Sequence, residues 1–362
     1  MTRWAAEAAG PLLDAPTGAS GTVIALRRGA ERVFIAEGRS AHHGGEPVDA
    51  DTRFEIGSLT KVLTALLFAE LVARGEVSHD DPVSRFLPPA ATPRPRGAAM
   101  TLLHLATHTS GLPRLPPGLL TAGPARLLTN PYAGFSHHDL LRAVGRTRPR
   151  FEPGSRLAYS NFGVGLLGHL LVHAVDAHDD AHETCGYEDL LAARVLHPLG
   201  LHHTDCRADL PQATGHWHGR PRPAWQIPGL PAAGAARSSG RDMLRLLDAL
   251  IDPAIAARPS LRAGLSDVIR PRLVAPRGTR RLALIWNIQP RPGHDLHHHS
   301  GATRGFTSFA GFSPQTGVAL VALTNAAPTL NGRFIQRAYD ALRSLAQETA
   351  RETDPEASRG IR

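Results

Sequence analysis

A chain of 362 residues with 42% hydrophobic content can bury a large core, and no stretch approaches 18 uninterrupted apolar residues, so a membrane span is not expected. The net charge of +8 raises nucleic-acid binding, but the arginines are scattered through loops such as 92–97 and 146–150, and only 5% of residues are aromatic. Without a basic helix or a stacking platform, neither a nucleic-acid nor a membrane partner is expected.

The first twenty residues carry acidic groups and prolines and contain no apolar h-region, so no secretory signal is expected and the expected location is cytoplasmic. Cys185 and Cys206 make no disulfide framework and are expected as free thiols. Two strands are predicted at 21–27 and 32–37, joined as a hairpin through Arg28-Gly29-Ala30-Glu31. From Leu59 the run LTKVLTALLFAELVARG predicts a mostly buried helix stopped at Gly75. Up to about residue 275 helical segments dominate, at 99–107, 137–144, 162–174, 187–196 and 241–251, broken by proline and glycine. Strands return at 282–289, 303–312 and 318–323, and a closing helix is predicted over 331–346.

Strands at both ends with helices between them imply an α+β fold: one sheet built from both chain termini and flanked by helices, with a large, mainly helical inserted region. The expected division is a sheet lobe of 1–75 plus 235–350, a helical lobe of 76–234 and a disordered tail of 351–362.

Of 40 Lys plus Arg, Lys61 is the one lysine. A lysine can lose its proton under burial and act as a base, whereas a guanidinium near 13.8 cannot. Ser58 precedes it by one turn at the predicted helix N-terminus, on the same face, where the helix dipole favours an alkoxide and depresses a neighbouring ammonium. The pair has the pattern of an activated serine nucleophile.

Two later segments supply partners. Tyr159-Ser160-Asn161 follows a proline-glycine turn, where a phenol can shuttle a proton and Asn161 can hold an amide carbonyl. His299-Ser300-Gly301-Ala302-Thr303 opens a predicted strand whose backbone N–H groups can reach an oxyanion. The histidine cluster 294–299 shows no metal-ligand spacing, and no Gly-x-Ser-x-Gly elbow is present, so neither a metal enzyme nor an α/β-hydrolase is expected.

The ordered set Ser58-x-x-Lys61, Tyr159-x-Asn161 and His299-Ser300-Gly301 resembles the three motifs of the serine β-lactamase and penicillin-binding protein superfamily. The likeness is nearest to the branch holding class C β-lactamases, D-Ala-D-Ala carboxypeptidases and related esterases. Connecting text at 102–113, 151–168, 198–201 and 233–243 agrees, and the resemblance covers roughly residues 20 to 345. It implies a β-lactamase/transpeptidase-like fold and an acyl-enzyme at Ser58, with Lys61 and Tyr159 sharing the proton work. It further implies an oxyanion hole from the N–H groups of Ser58 and Ala302, with Asn161 on the acyl amide. Ser300, Gly301 and Thr303 would line the substrate, a small acyl compound, and no cofactor or metal is called for. Where many relatives have lysine in the third motif, this chain has His299, which predicts an activity transition near neutrality and puts recognition of a substrate carboxylate in doubt. Thr303, Arg304 and Asn325 are candidates to compensate. The alternatives to ester or amide hydrolysis are acyl transfer in a biosynthetic pathway and a non-catalytic binding role.

Overall fold

The computed structural model describes residues 2–14, 18–94, 96–119, 129–176, 186–274 and 281–353. Helix α1 (Arg3–Leu13) leads into strands β1 (Gly21–Arg28) and β2 (Glu31–Gly38), which form the expected hairpin with Gly29 at φ +59° in its turn. The short strand β3 (Phe54–Glu55) enters α2 (Thr60–Ala73), and α3 (Leu102–Ala106), α4 (His137–Arg146), α5 (Asn161–Asp176) and α6 (Tyr187–Leu191) follow. A small hairpin, β4 (Gly215–Trp217) and β5 (Arg220–Arg222), precedes β6 (Arg237–Ser238), α7 (Gly240–Ile251) and α8 (Pro259–Val268). Strands β7 (Leu273–Val274), β8 (Arg281–Leu282), β9 (Asn287–Arg291), β10 (His294–Ala302), β11 (Thr307–Ser313) and β12 (Val318–Thr324) lead to α9 (Arg333–Thr353).

The main sheet has eight strands in the order β2-β1-β12-β11-β10-β9-β8-β7, all paired antiparallel. Both ends of the chain supply it, as expected. Alternation along β1 sends Ile24 and Leu26 to one side, with Leu12 of α1 and Leu342 of α9, and Val23 and Ala25 to the other, with Leu63, Leu67 and Leu247. A strand covered on both faces reads as a continuous apolar run, which is the pattern of TVIAL in β1 and VALVAL in β12. Helix α2 is buried around its whole circumference, from Thr60 to Leu71. It ends where Gly75 takes φ +76° and Glu76 N–H donates to Leu71 O, so the stop predicted at Gly75 is a left-handed cap.

Several boundaries differ. Helix α1 was not expected; its small face of Ala5, Ala8 and Ala9 packs closely beside α9, a pattern too weak in hydropathy to register from sequence. The strand predicted at 282–289 is two strands separated by a turn in which Ile285 takes φ +67°. The strand predicted at 303–312 begins instead at Thr307, because Thr303 N–H donates to Phe306 O and closes a turn there. His299, Ser300 and Gly301 therefore lie at the C-terminal end of β10 rather than at the start of the next strand. The closing helix runs on through residues 351–353. The rest of the predicted tail, 354–362, and Cys185 lie outside the described residues.

Candidate active site

The predicted site residues come from three chain segments. The turn Gly57–Leu59 places Ser58 just ahead of α2, and Lys61 follows in its first turn. Lys61 Nζ stands 3.0 Å from Ser58 Oγ and donates to Ala233 O at 2.5 Å. Tyr159 Oη donates to Ser58 Oγ at 2.8 Å. The serine oxygen thus touches the only lysine and a phenol at once.

The tyrosine is held by its backbone neighbours. Ala158 N–H donates to His108 O, Ser160 Oγ donates to Pro113 O, and Asn161 N–H donates to Arg114 O, which fastens the motif to the 108–114 loop. Ser160 Oγ also accepts from Gly163 N–H and so caps α5. The His108 ring lies 4.5 Å from that of Tyr159, its backbone is left-handed at φ +58°, and its buried Nε2 has no partner among the described residues. A non-glycine residue held in that conformation, here beside Tyr159, is the kind of strain found at functional sites. In the sequence this loop stood only as connecting text; its one signal was a histidine directly before Thr109-Ser110-Gly111.

Lys61 has no measurable exposure, and among the described residues no carboxylate pairs with it. Burial lowers its pKa; Tyr159 opposes the shift, and the Arg114 guanidinium, 5.4 Å above the Tyr159 ring, adds to it. His108 is pushed well below the usual imidazole range by burial, then by Lys61 and His299. His299, 5% exposed, is pushed down to about 3 by burial, then by Lys61 and His298. The histidine that replaces a lysine in the third motif is therefore neutral at physiological pH, and the transition expected near neutrality moves far to the acid side.

The third motif meets the first through backbone. A Cβ on Gly301 would lie 2.0 Å from Ile56 O and 2.9 Å from Ser58 N, and one on Gly57, at φ +51°, would lie 2.7 Å from Ala302 N. Only glycine permits this approach at both positions, which brings the amides of Ser58 and Ala302 to the same place. Strand β9 pairs with β10 only as far as His298, so the backbone of Ser300 to Ala302 is left without a β9 partner.

The remaining predicted residues divide. Asn161 Nδ2 donates to Tyr132 Oη at 3.0 Å, and its buried Oδ1 has no partner among the described residues, so the unpartnered atom is an acceptor, whereas the expected amide carbonyl calls for the donor. Tyr132, which packs 5.7 Å from the Trp225 ring, was not found from sequence. Thr303 gives its hydroxyl to Glu55 Oε2 at 2.7 Å, so that hydroxyl is engaged within the protein and braces the turn after β10. Glu55 also accepts from Trp225 N–H and faces the buried Arg237 guanidinium at 3.6 Å. This cluster ties the strand before Ser58 to the turn after Ala302 and the strand after Ala233. Asn325 is fully buried and engaged with Ser20, Gly21, Ser40 and Thr214, so it does not compensate for the missing lysine.

Residues 12–344, nearly the whole chain, match the family described as Beta-lactamase. The chain belongs to the β-lactamase family. A β-lactamase of Escherichia coli (strain K12) is 27% identical over 313 residues, covering 77% of each protein. A β-lactamase of Yersinia enterocolitica is 27% identical over 374 residues, 92% of this chain and 89% of that protein, so the likeness includes both sheet and helices. The D-alanyl-D-alanine-carboxypeptidase/endopeptidase AmpH of Escherichia coli (strain K12) is 30% identical over 189 residues, 52% of this chain and 46% of that protein, so only a part of AmpH is shared. The protein is a serine hydrolase of this family with the expected α+β fold. Among the described residues no helix is long and apolar enough to cross a membrane.

Proposed function

We propose that the protein cleaves a small ester or amide through an acyl-enzyme on Ser58. The observation that carries this is the position of Ser58 Oγ, 3.0 Å from a fully buried Lys61 Nζ and 2.8 Å from Tyr159 Oη. In its charged form Nζ donates to the serine; once neutral, it offers a lone pair along the same contact while Ala233 O still accepts one of its N–H bonds. Ser58 Oγ loses its proton to Nζ and attacks the substrate carbonyl. The negative oxygen settles between the N–H groups of Ser58 and Ala302, and preorganised donors of this kind lower the barrier by about 3–4 kcal/mol each. Tyr159 gives its hydroxyl proton to the departing oxygen or nitrogen and takes one back from the neighbouring Lys61 ammonium, which becomes neutral again. Asn161 holds the acyl chain while water attacks the acyl carbon, and the water's proton passes through Lys61 to Ser58 Oγ as the acid leaves.

The acyl compound is the partner this site requires. With His299 neutral, Arg114, whose guanidinium lies 5.4 Å over the Tyr159 ring, is a cation beside the site that can attract a carboxylate on it. Intact-mass measurement after exposure to a penicillin and to a p-nitrophenyl ester tests the proposal. One acyl mass is expected on the wild type and none on Ser58→Ala. An adduct from the ester alone assigns the site to esters, an adduct from penicillin assigns it to β-lactams as well, and no adduct from either refutes the proposal.

A further inference from the structure

Helices α4 and α5 meet at three histidines that the Ser58 chemistry does not use. His137 is the first residue of α4, behind the Ser136 cap. His169 and His173 lie four apart on α5 and so share a face. The three residues can each direct one nitrogen into a group whose members all lie within 4.8 Å of one another. The His169 ring is central, 4.1 Å from that of His137 and 4.3 Å from that of His173. The sequence directed attention to the 294–299 cluster instead, because His137 is distant from the α5 pair in the chain.

Edge-to-face ring packing explains why the three are close, but it leaves one atom unexplained. His169 is buried, and its Nε2 has no hydrogen-bond partner among the described residues. A buried polar atom without a partner costs stability, and native proteins rarely leave one. His137 and His173 are exposed, so an ion can enter from solvent and give that nitrogen a partner.

An all-imidazole donor set with no carboxylate suits zinc, cobalt or nickel rather than magnesium or calcium. Around a tetrahedral ion with nitrogen ligands at 2.0–2.1 Å, donor atoms sit about 3.4 Å apart, so modest side-chain rotations close the group. We propose that His137, His169 and His173 form a binding site for a divalent transition metal of the zinc class, which clamps α4 onto α5 and leaves a fourth position for water. Asn161 opens the same helix eight residues before His169, about 12 Å along its axis, so a clamped α5 holds one wall of the Ser58 site.

The test titrates the chelator-treated full chain with ZnCl2, and with CoCl2 for its visible spectrum. One equivalent should bind with micromolar affinity, cobalt should give the absorption of a tetrahedral site, and zinc should raise the melting midpoint. In His137→Gln/His173→Gln, whose altered side chains are exposed, affinity should fall at least 100-fold and the zinc-dependent rise should vanish, with the metal-free midpoint unchanged. Binding no tighter than millimolar in the wild type would overturn the proposal. So would unchanged binding in the double variant, which would place the ion on others of the 20 histidines.

Discussion

Replacing Lys61 by arginine matches the chain's own preference everywhere else, and it isolates the property for which the lysine is needed. In any given environment a guanidinium starts about 3.4 pKa units above an ammonium, which is roughly 4.6 kcal/mol more to reach the neutral form. Lys61 is completely enclosed, and burial already disfavours its charge. The same enclosure leaves arginine short by that difference, about three decades in the population of the base, in line with the roughly 10²–10⁴ attributed to a positioned general base. Acylation of Ser58, followed as the burst of p-nitrophenol in a stopped-flow instrument, should slow at least about 1,000-fold. The larger head group also overfills the space between Ser58 and Ala233, costing about 1–3 kcal/mol of stability. Lys61→Met separates the two effects: it keeps volume and removes charge, so it should melt near the wild type and still fail to acylate. Wild-type acylation should rise with pH as Lys61 loses its proton, and neither variant should show that rise. A Lys61→Arg protein acylating within tenfold of wild type would sink the assignment of Lys61 as the base.

The depressed His299 makes a stability prediction with a definite sign. Its folded value of about 3 lies below the ordinary 6.5, so between those values the unfolded chain binds a proton that the native imidazole refuses, and stability falls as pH drops through that window. His169, also pushed down to about 3, adds to the same trend, and urea midpoints at pH 7 and pH 4 should differ less in His299→Gln than in wild type. Identical pH dependence in the two proteins would count against a buried neutral His299. Glu55→Ala strands the Arg237 guanidinium, which is 1% exposed, and should cost about 3–5 kcal/mol in thermal or urea unfolding. Glu55→Ala/Arg237→Met should recover most of that loss; if it does not, the buried pair is not what Glu55 stabilises.

Much of the chemistry was legible because it is local. Ser58 and Lys61 are one helical turn apart, and the apolar run that follows them announces a buried helix whatever surrounds it. Tyr159 and Asn161 were legible as a turn leading into α5, and the sheet runs were legible in β1 and β12, where both faces are covered and the residues are apolar without interruption. The late strands were harder. A histidine-rich stretch with no alternation of apolar and polar residues hides β10, and a tight turn at Thr303–Phe306 moved the third motif from the start of one strand to the end of another.

Sequence alone therefore pointed to a candidate nucleophile, its candidate base, the α+β class and the family resemblance, since each depends on residue identities at short, ordered spacings. Tertiary structure alone decided which groups carry charge and which meet. His299 is neutral because the fold buries it beside Lys61, and Thr303 serves Glu55 because β3 passes next to the turn after β10. Burial, and distances between segments a hundred or more residues apart, are properties of the packed chain, and they bring a serine, its nearby lysine and a distant tyrosine into hydrogen-bond contact.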